Sequence, residues 1–593
     1  MSNDRRLIED YLPIQAISAE ASREKSGSVH QGHISTLHLW WARRPLVACR
    51  AAVYGALVPA SRFRPENGPE EKRDSLTRAN AAKFVERLCK YPGNPTVIKE
   101  AQRHILEAHA ERLTTETGKK VTVEDIEEGR APRPKVLDMF AGGGAIPLEA
   151  LRLGCEAYAL DLNPVAHIIE LCTLVYPQKY GKPDPNAGGM TGPKNAKGET
   201  TWGGLAEEIR YWGEWVLEKV RAEIGDLYPL LPDPKFKGAK PLRQADMWQA
   251  TKDEVPPGYL VPVAYLWTRT VHCKNPSCGA TVPLVKQTWL CKKKGQYVAL
   301  KIVAPKGKKQ VRFEVVESAS ERGFGFDPAA GSKAGNATCP FCGTVADSDY
   351  VKAEGCAKRM GQKMMALVCT RPTTRGKAYI SADNLPDFIP SNEVIQERLH
   401  ALLARTGLTI PDEHIITDAK NSCWTYLYGF TTFGDLFGPR QMLFQLVFTA
   451  AIRDAHRQLQ DLGLEDGRAV AVTSYCGLLC SRLADWNSTI AHWIPAGEKV
   501  SDTFARQALP MSWDYSEIHP LVDVSGNSPD SLKRMADALD THPVFHACDV
   551  QRGTATQLPW PDGCMDAVIT DPPYYDNVPY ADISDFFYLL SQT

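Results

Sequence analysis

The sequence predicts an α/β fold in which a doubly wound sheet is interrupted by a long insert that carries a cysteine ribbon. Three observations predict this arrangement. An apolar strand at 135–137 leads into a glycine-rich turn and a helix, and a second strand spans 156–160. A short apolar strand at 565–570 runs into Asp-Pro-Pro-Tyr. Between these segments, two pairs of closely spaced cysteines indicate a separate metal-binding unit.

Length and composition indicate a multidomain protein with almost no net charge. A chain of 593 residues exceeds what one hydrophobic core supports. Lys and Arg total 69 against 70 Asp and Glu, so any attraction to nucleic acid must come from local patches. The 16 cysteines are spread through a long chain, which favours thiols and a metal site over disulfides. No signal peptide is evident, and the most apolar run, Met442–Ile452, is too short to span a bilayer, so we expect a cytoplasmic protein without membrane contact.

Residues 1–130 are expected to form a helical cap, with a polar connector at Arg62–Ser75. A dense aromatic and basic cluster lies in its first half and offers both stacking surfaces and phosphate donors. Packing of the tryptophans in a core is the main alternative, and a metal site is disfavoured because no cysteine or carboxylate completes the histidine set. The cluster comprises His30, His33, His38, Trp40, Trp41, Arg43 and Arg44.

The glycine-rich turn after the first strand is typical of a loop that approaches a nucleotide-like ligand. Glycines let the backbone come close to a ligand, and the following helix supplies free N–H donors. Asp161, at the end of the second strand, is placed to accept the hydroxyl hydrogens of a ribose. A structural turn in another α/β protein would give the same loop pattern. The candidate ligand-binding residues of this segment are Asp138, Phe140, Ala141, Gly142, Gly144 and Asp161.

The tetrapeptide Asp571-Pro572-Pro573-Tyr574 follows a strand at the edge where open α/β sheets place their active sites. The Asp571 carboxylate and the Pro572 carbonyl could accept both hydrogens of a base amino group and push its lone pair toward a methyl donor. Tyr574 could stack on a base rotated out of a duplex. The alternative is a proline turn with an exposed acid.

The insert is predicted to be a β-rich unit with a structural zinc ion. Cys273-x4-Cys278 and Cys339-x2-Cys342 form two knuckles, each followed by a glycine. Four cysteine ligands leave no open position for water, while Cys291 and Cys356 have no compelling spacing. A basic run between the knuckles fits either phosphate contacts or a solvated hairpin. It contains Lys286, Lys292, Lys293, Lys294, Lys301, Lys306, Lys308, Lys309 and Arg312.

These motifs resemble the paired signatures of nucleic-acid amino-methyltransferases, and more closely a family of adenine-specific DNA methylases that contain a Zn ribbon. The N-terminal region of that family is a domain of unknown function. The resemblance extends over most of the chain, at Gly32–Ala51, Asp138–Ala150, Tyr428–Gln441, Ser481–Thr489 and Thr570–Tyr588.

The resemblance implies a Rossmann-like, S-adenosylmethionine-dependent core that transfers a methyl group to DNA, with N6 of adenine preferred over N4 of cytosine. It implies catalysis by the Asp571–Tyr574 motif and cofactor binding by the glycine-loop residues with Asp161. Thr554 stands where related enzymes have a cofactor-binding acid, and Asp549 is the expected substitute. A non-catalytic DNA-binding subunit and methylation of RNA or of a protein glutamine are the alternatives. Because few residues follow the motif, we expect a truncated or split core that needs a partner chain for its terminal strands, with double-stranded DNA as the substrate.

Helical spacing predicts further elements around the insert. The apolar residues Leu205, Ile209, Trp212, Val216, Val220 and Ile224 repeat with a helical period, and Glu393–Arg405 and Gln441–Leu462 also look helical. The segments expected are a cap (1–130), the cofactor half of the core (131–180), a helical linker (181–260), the zinc-ribbon insert (261–356), a helical target-recognition region (357–539) and the catalytic half of the core (540–593).

Overall fold

The structure is a computed structural model that describes most of the chain. It describes residues 5–26, 32–67, 69–181, 191–194, 200–202, 204–236, 255–333, 335–372, 374–415, 423–524, 526–541, 548–574 and 578–592. His30 and most of the loop predicted between Tyr180 and Gly204 lie outside these residues. The chain divides into two compact units. Unit 1 comprises Met1–Tyr211, Gly463–Leu478 and Arg534–Val578, and unit 2 comprises Trp212–Leu462, Leu479–Lys533 and Pro579–Thr593.

The protein is of the mixed α/β class, with helices and several separate sheets. Its α-helices are α1 (Leu7–Asp10), α2 (Ile14–Lys25), α3 (Leu46–Leu57), α4 (Glu70–Leu88), α5 (Pro95–Thr117), α6 (Val123–Glu127), α7 (Ala145–Arg152), α8 (Pro164–Glu170), α9 (Tyr176–Tyr180), α10 (Gly204–Ile224), α11 (Ser348–Cys356), α12 (Asn392–Thr406), α13 (Pro439–Asp461), α14 (Asp466–Trp486), α15 (Ser528–Thr541) and α16 (Tyr580–Gln592).

The strands are β1 (Lys135–Asp138), β2 (Glu156–Asp161), β3 (Thr191–Lys194), β4 (Thr200–Trp202), β5 (Leu231–Pro232), β6 (Tyr259–His272), β7 (Thr281–Pro283), β8 (Trp289–Lys293), β9 (Gln296–Val303), β10 (Arg312–Ser318), β11 (Ala337–Thr338), β12 (Val345–Ala346), β13 (Gly361–Arg371), β14 (Thr374–Ser381), β15 (Trp493–Ile494), β16 (Lys499–Val500), β17 (Asp514–Ile518), β18 (Cys548–Arg552) and β19 (Ala567–Val568). The longest strands, β6 and β13, lie in unit 2.

The main sheet of unit 1 has four parallel strands in the order β18-β2-β1-β19. Asp138 pairs with Ala159 of β2, and Leu137 pairs with Val568 of β19. Parallel strands end at the same edge of a sheet, so the loops after β1, β2 and β19 all leave from one side. The segments on either side of the long insert are thus joined in one sheet.

A buried ion pair joins the N-terminal helix α3 to helix α7, which follows the first strand of this sheet. Arg50 of α3 and Glu149 of α7 are both fully buried, and the Arg50 Nε donates to Glu149 Oε2 at 2.6 Å. Arg152 donates to the same carboxylate at 2.7 Å, so both its oxygens are satisfied. Because α7 directly follows the glycine loop, this network fixes the helix on which the loop ends.

The largest sheet of unit 2 is antiparallel and centres on the long strand β6. Its order is β14-β13-β6-β17, with β5 and β7 also paired to β6. The region 357–539, predicted to be helical, therefore also contains five strands, of which β13, β14 and β17 belong to this sheet. These three are required because β6 is almost entirely buried and each of its edges needs backbone partners.

Most predicted elements are present with small shifts at their ends. The six apolar residues of α10 are all buried, as the periodicity predicts. The connector expected at Arg62–Ser75 is shorter, because α4 already begins at Glu70 after Pro69. The strand expected at 565–570 is reduced to Ala567–Val568. Among the described residues, no helix has both the length and the apolar character needed to cross a bilayer.

Candidate functional site

The glycine loop after β1 contains two residues in the left-handed region. Gly142 has φ of 54° and Gly144 has φ of 74°, a conformation that a side chain disfavours. Gly144 also stands at the N-terminus of α7. A Cβ added to Gly142 would lie only 2.3 Å from Nε1 of Trp40. Position 142 thus requires glycine for its backbone conformation and for space.

Backbone N–H groups of the loop are held by the ends of the two strands beside it. The amide of Phe140 donates to Asp138 Oδ1 at 3.1 Å, and the amide of Ala141 donates to the carbonyl of Leu160 at 3.1 Å. The amide of Gly142 donates to Asp161 Oδ2 at 2.9 Å. The loop is therefore shaped by β2 as well as by β1.

Asp161 keeps acceptor capacity for a ligand. Its Oδ2 accepts the amide of Gly142 and its Oδ1 accepts the amide of Asn163, each at 2.9 Å. The amide of Leu162 is a third donor to this carboxylate, and a carboxylate accepts about four hydrogen bonds, so about one acceptor position is left. Burial raises the pKa of this carboxyl above its usual value. The side chain fits the expected role of accepting hydroxyl hydrogens.

The Asp-Pro-Pro-Tyr motif lies next to the glycine loop. The Thr570 hydroxyl donates to Asp138 Oδ1 at 2.8 Å, and this bond joins residues 432 positions apart. Asp571 is half-buried, whereas Pro572, Pro573 and Tyr574 are exposed. Tyr574 has 62% of its surface accessible, so its ring is free to stack on a planar ligand.

Arg44 forms an ion pair with Asp571 through its Nε. The hydrogen bond to Asp571 is the main reason why the pKa of Arg44 is raised. Trp40 and Arg43 of the same segment contact the glycine loop, since a Cβ on Gly143 would be 3.0 Å from Arg43 Nε. Trp40 is thus buried, as the core-packing alternative for the aromatic and basic cluster predicts, and Arg44 is paired with the candidate catalytic acid.

Asp549 is less closely associated with the other predicted cofactor residues. It lies on β18, one position before Val550, which pairs with the same residue of β2 as Asp138 does. One strand, β2, therefore lies between Asp549 and the strand that leads into the glycine loop. Its Oδ2 already accepts Trp560 Nε1 at 2.7 Å, and its Oδ1 accepts Gln551 Nε2 at 2.7 Å. The structure brings Asp138, Asp161 and Asp571 together, while Asp549 sits to one side.

Two carboxyls beside the loop are unusually buried. Burial raises the pKa of Asp138 to about 7, although Thr570 and Phe140 donate to it. Glu170, at the end of α8, is fully buried, and burial raises its pKa well above the usual value, with the charges of Asp161 and Asp138 adding to the effect. Glu170 was not among the predicted site residues. A glutamate among the apolar positions of a buried helix is the sequence signal that could have marked it.

The predicted metal ligands come together in unit 2. A backbone hydrogen bond closes each knuckle: the amide of Cys273 donates to Ala280 O at 2.8 Å, and that of Cys339 donates to Thr344 O at 2.9 Å. Gly279 and Gly343 both have positive φ, as tight turns require. Cys291 and Cys356 do not belong to the cluster found among the described residues.

The four sulfur atoms have the spacing of a tetrahedral site. Cys273 Sγ is 3.5 Å from Cys342 Sγ, and Cys278 Sγ is 3.9 Å from Cys339 Sγ. All four lie within 4.8 Å of one another. Tetrahedral zinc with bonds of about 2.3 Å to sulfur would separate the sulfurs by roughly 3.8 Å. The cluster can therefore hold a metal ion.

Comparison with known proteins identifies one family model in the N-terminal part of the chain. The model is described as "Protein of unknown function (DUF1156)" and matches residues 11–84. No curated protein and no solved structure matches the chain. The matched segment includes Trp40 and Arg44, so it contributes directly to the surroundings of the glycine loop and of Asp571.

The basic run between the knuckles does not form one free patch. Lys292 pairs with Glu321 at 2.6 Å, Lys293 pairs with Glu498, and Lys309 donates to the carbonyl of Cys278. These three side chains already have partners within unit 2. For them, the interpretation as a solvated and ion-paired hairpin face is favoured over phosphate contacts.

Proposed function

We propose that this chain is an S-adenosylmethionine-dependent DNA methyltransferase that acts on an exocyclic base amino group, with N6 of adenine preferred. One observation carries the proposal: the parallel pairing of β1 with β19 brings Asp571 and Thr570 to the edge where the glycine loop and Asp161 lie. A cofactor loop and an amino-group acceptor at one sheet edge are the two parts that this reaction needs. A Rossmann-like methyltransferase core is part of the proposal.

The residues at the sheet edge fit the cofactor. Gly142 leaves no room for a side chain, and Asp161 keeps about one acceptor position for a ligand hydroxyl. The glycine-loop residues Asp138–Gly144 and Asp161 would hold the cofactor, with Asp549 as the outermost candidate. When bound, the cofactor supplies an activated methyl group. The fit is supported by the buried carboxyls around the loop, because the methyl donor carries positive charge.

The chain's own groups would prepare the base. The lone pair of a base amino group is delocalised into the ring, so the Asp571 carboxylate and the Pro572 carbonyl would accept its two hydrogens and localise that pair. The exposed ring of Tyr574 would stack on the base after it leaves the duplex. Position and hydrogen bonding would supply most of the acceleration, without a covalent enzyme intermediate.

Arg44 affects the binding of the base to Asp571. Its guanidinium donates to the carboxylate that is proposed to accept the amino hydrogens. Base and guanidinium compete for the same oxygen atoms, so Arg44 must withdraw before a base can bind. The phosphate backbone beside a flipped base would offer Arg44 a new partner.

A zinc ion is proposed at the cysteine cluster of unit 2. The chemistry of four thiolates and the sulfur separations of 3.5 Å and 3.9 Å support zinc. Four protein ligands complete a tetrahedral shell, so its role would be structural. The ion would tie the two knuckles together and would not take part in methyl transfer.

Methylation of duplex DNA tests the proposal. We expect transfer of a labelled methyl group from S-adenosylmethionine to DNA. We expect that Asp571→Ala lowers the rate by about 100-fold or more while cofactor binding is retained. The exposed Asp562→Ala is the matched control. Mass spectrometry of the nucleosides distinguishes N6-methyladenine from N4-methylcytosine. Full activity of Asp571→Ala would contradict the mechanism, and absence of transfer by the wild type would contradict the proposed function.

The Arg44–Asp571 pair also favours a second candidate, a DNA-binding subunit without catalysis, because the acid is neutralised. Calorimetric titration with S-adenosylmethionine separates the two candidates. Binding that Gly142→Ala weakens supports the enzyme. DNA binding without cofactor binding supports the subunit.

A further inference from the structure

A helical segment beside the glycine loop carries buried polar atoms without partners. Helix α8 ends at Glu170 and continues as a π-helix over Leu171–Val175. Among the described residues, both carboxyl oxygens of Glu170, Nδ1 of His167 and Oγ1 of Thr173 are buried and have no hydrogen-bond partner. Buried polar atoms are nearly always paired, and π-helices are frequent at functional sites. The buried polar atoms of this segment therefore lack a hydrogen-bond partner that a ligand could supply.

The unpaired carboxyl adjoins the proposed cofactor loop. The π-helix packs against it, since a Cβ on Gly144 would be 3.3 Å from Leu174 Cδ1. Glu170 is also close enough to Asp161 and Asp138 for their charges to act on it. Three carboxyls therefore surround this part of the loop, and only Glu170 has no donor on either oxygen.

The carboxyls near the glycine loop determine which charge a ligand at Glu170 would carry. Carboxyl oxygens without donors favour a group rich in N–H, and an ammonium group offers three N–H donors to the open oxygens of Glu170. The hydroxyl of Thr173 can accept a further N–H. The proposed methyl donor carries an ammonium group on its amino-acid part and a separate sulfonium centre that has no hydrogen to donate. Hydrogen-bond complementarity therefore points to the ammonium.

We propose that Glu170, assisted by Thr173, binds the ammonium group of the cofactor's amino-acid part. This inference rests on the proposed function and adds a specificity-determining residue outside the two recognised motifs. It requires the Glu170 carboxyl to be ionised in the complex. The neutral form favoured by burial in the free protein would then give up a proton when the cation binds.

Calorimetry with three nucleosides tests the assignment. S-adenosylmethionine has both the ammonium and the sulfonium, S-adenosylhomocysteine keeps only the ammonium, and 5′-methylthioadenosine has neither. We expect Glu170→Gln to weaken binding of the first two by similar factors, roughly 10- to 100-fold, and to leave the third within about twofold. Thr173→Val should weaken the first two by about threefold to tenfold. The exposed Glu111→Gln is the matched control and should change none of them.

Each other result has a separate meaning. Unchanged affinity of Glu170→Gln for all three nucleosides would overturn the assignment. A loss confined to S-adenosylmethionine would also overturn it, because the carboxyl would then act at the sulfonium. Should Glu170→Gln fail to fold, Thr173→Val decides, and equal affinities in that variant and the wild type overturn the proposal. If the wild type bound no S-adenosylmethionine, the proposed function itself would be contradicted. The results with the two variants test only the assignment of Glu170.

Discussion

The two candidate sites are assembled in different ways. The cysteine cluster of unit 2 is made of two local turns whose ligands lie 61 and 69 residues apart in the chain. The glycine-loop site of unit 1 joins Asp138 to Thr570 across 432 residues, by way of sheet pairing. A turn carries its geometry in its own sequence, whereas a sheet edge gathers side chains from distant segments. A site at a sheet edge therefore contains side chains that no local sequence pattern predicts.

The charges at the two sites also differ. Four thiols face one another in the cysteine cluster, and a cation is the natural group to satisfy all of them. At the sheet edge the charges are partly balanced within the chain, since Arg44 pairs with Asp571 and burial raises the pKa of Asp138. We therefore expect the first site to depend on its ligand for folding and the second to be folded before its ligand binds.

Loss of the metal should have the largest effect. Apparent binding energies of structural zinc sites are about 10–16 kcal/mol and contribute directly to folding. Cys339→Ser or treatment with a strong chelator should remove about one zinc per chain and unfold the ribbon around the knuckles. Elemental analysis and hydrogen exchange of 271–284 and 337–346 measure this. The exposed Cys356→Ser is the control. Full protection of both segments after metal removal would show that the cysteine site, like the sheet edge, folds without its ligand.

Gly142→Ala should be the strongest single change at the sheet edge. The substituted residue would have to keep φ of 54° with its Cβ 2.3 Å from Trp40 Nε1. We expect a loss of roughly 2–3 kcal/mol in the free energy of unfolding and at least about tenfold in cofactor affinity. Gly129→Ala is a matched control, because Gly129 has φ of 76° with no atom within 4 Å of its Cβ. Equal costs at both positions would show that Trp40 imposes no constraint.

Local patterns were sufficient to predict the turns and the helices. The cysteine spacing predicted the ligands that converge, and the glycine pattern predicted a loop with two positive φ values. The period of apolar residues predicted α10 and the approximate ends of α12 and α13. The turns and the helices depend on residues within one or two turns of the chain, whereas the convergence of the two cysteine pairs followed from the preference of zinc for four ligands.

Features that depend on distant pairing could not be predicted. Arg44 and Asp571 are separated by 527 residues, and no local pattern links them. The strands β13, β14 and β17 follow from the need of β6 for backbone partners, which is a property of the assembled sheet. Glu170 became conspicuous only when its burial and its unpaired oxygens were known. Asp549 was selected by analogy of position, and it lies on β18, with β2 between it and β1.

The stability of unit 1 should depend on pH through Asp138. The folded protein holds the Asp138 proton up to a pKa of about 7, while the unfolded chain releases it near its usual pKa of 3.8. Raising the pH through this window therefore removes stability, because the folded state binds the proton more tightly. Relative to the wild type, Asp138→Asn should gain roughly 1–3 kcal/mol between pH 5 and pH 8. Urea unfolding at four pH values measures the difference, and parallel curves would contradict the expectation.

Thr570→Val should give the smallest effect and the sharpest test of how the sheet edge is held. The substitution preserves the shape of the side chain and removes only the hydrogen bond of 2.8 Å to Asp138. If sheet pairing alone aligned the two segments, the variant would behave like the wild type. We expect a loss of about 1 kcal/mol in the free energy of unfolding, since a buried acceptor loses one of its donors. The exposed Thr556→Val should cost less than about 0.5 kcal/mol. A methylation rate that falls severalfold only in Thr570→Val would mean that this bond, in addition to strand register, aligns Asp571 with the glycine loop.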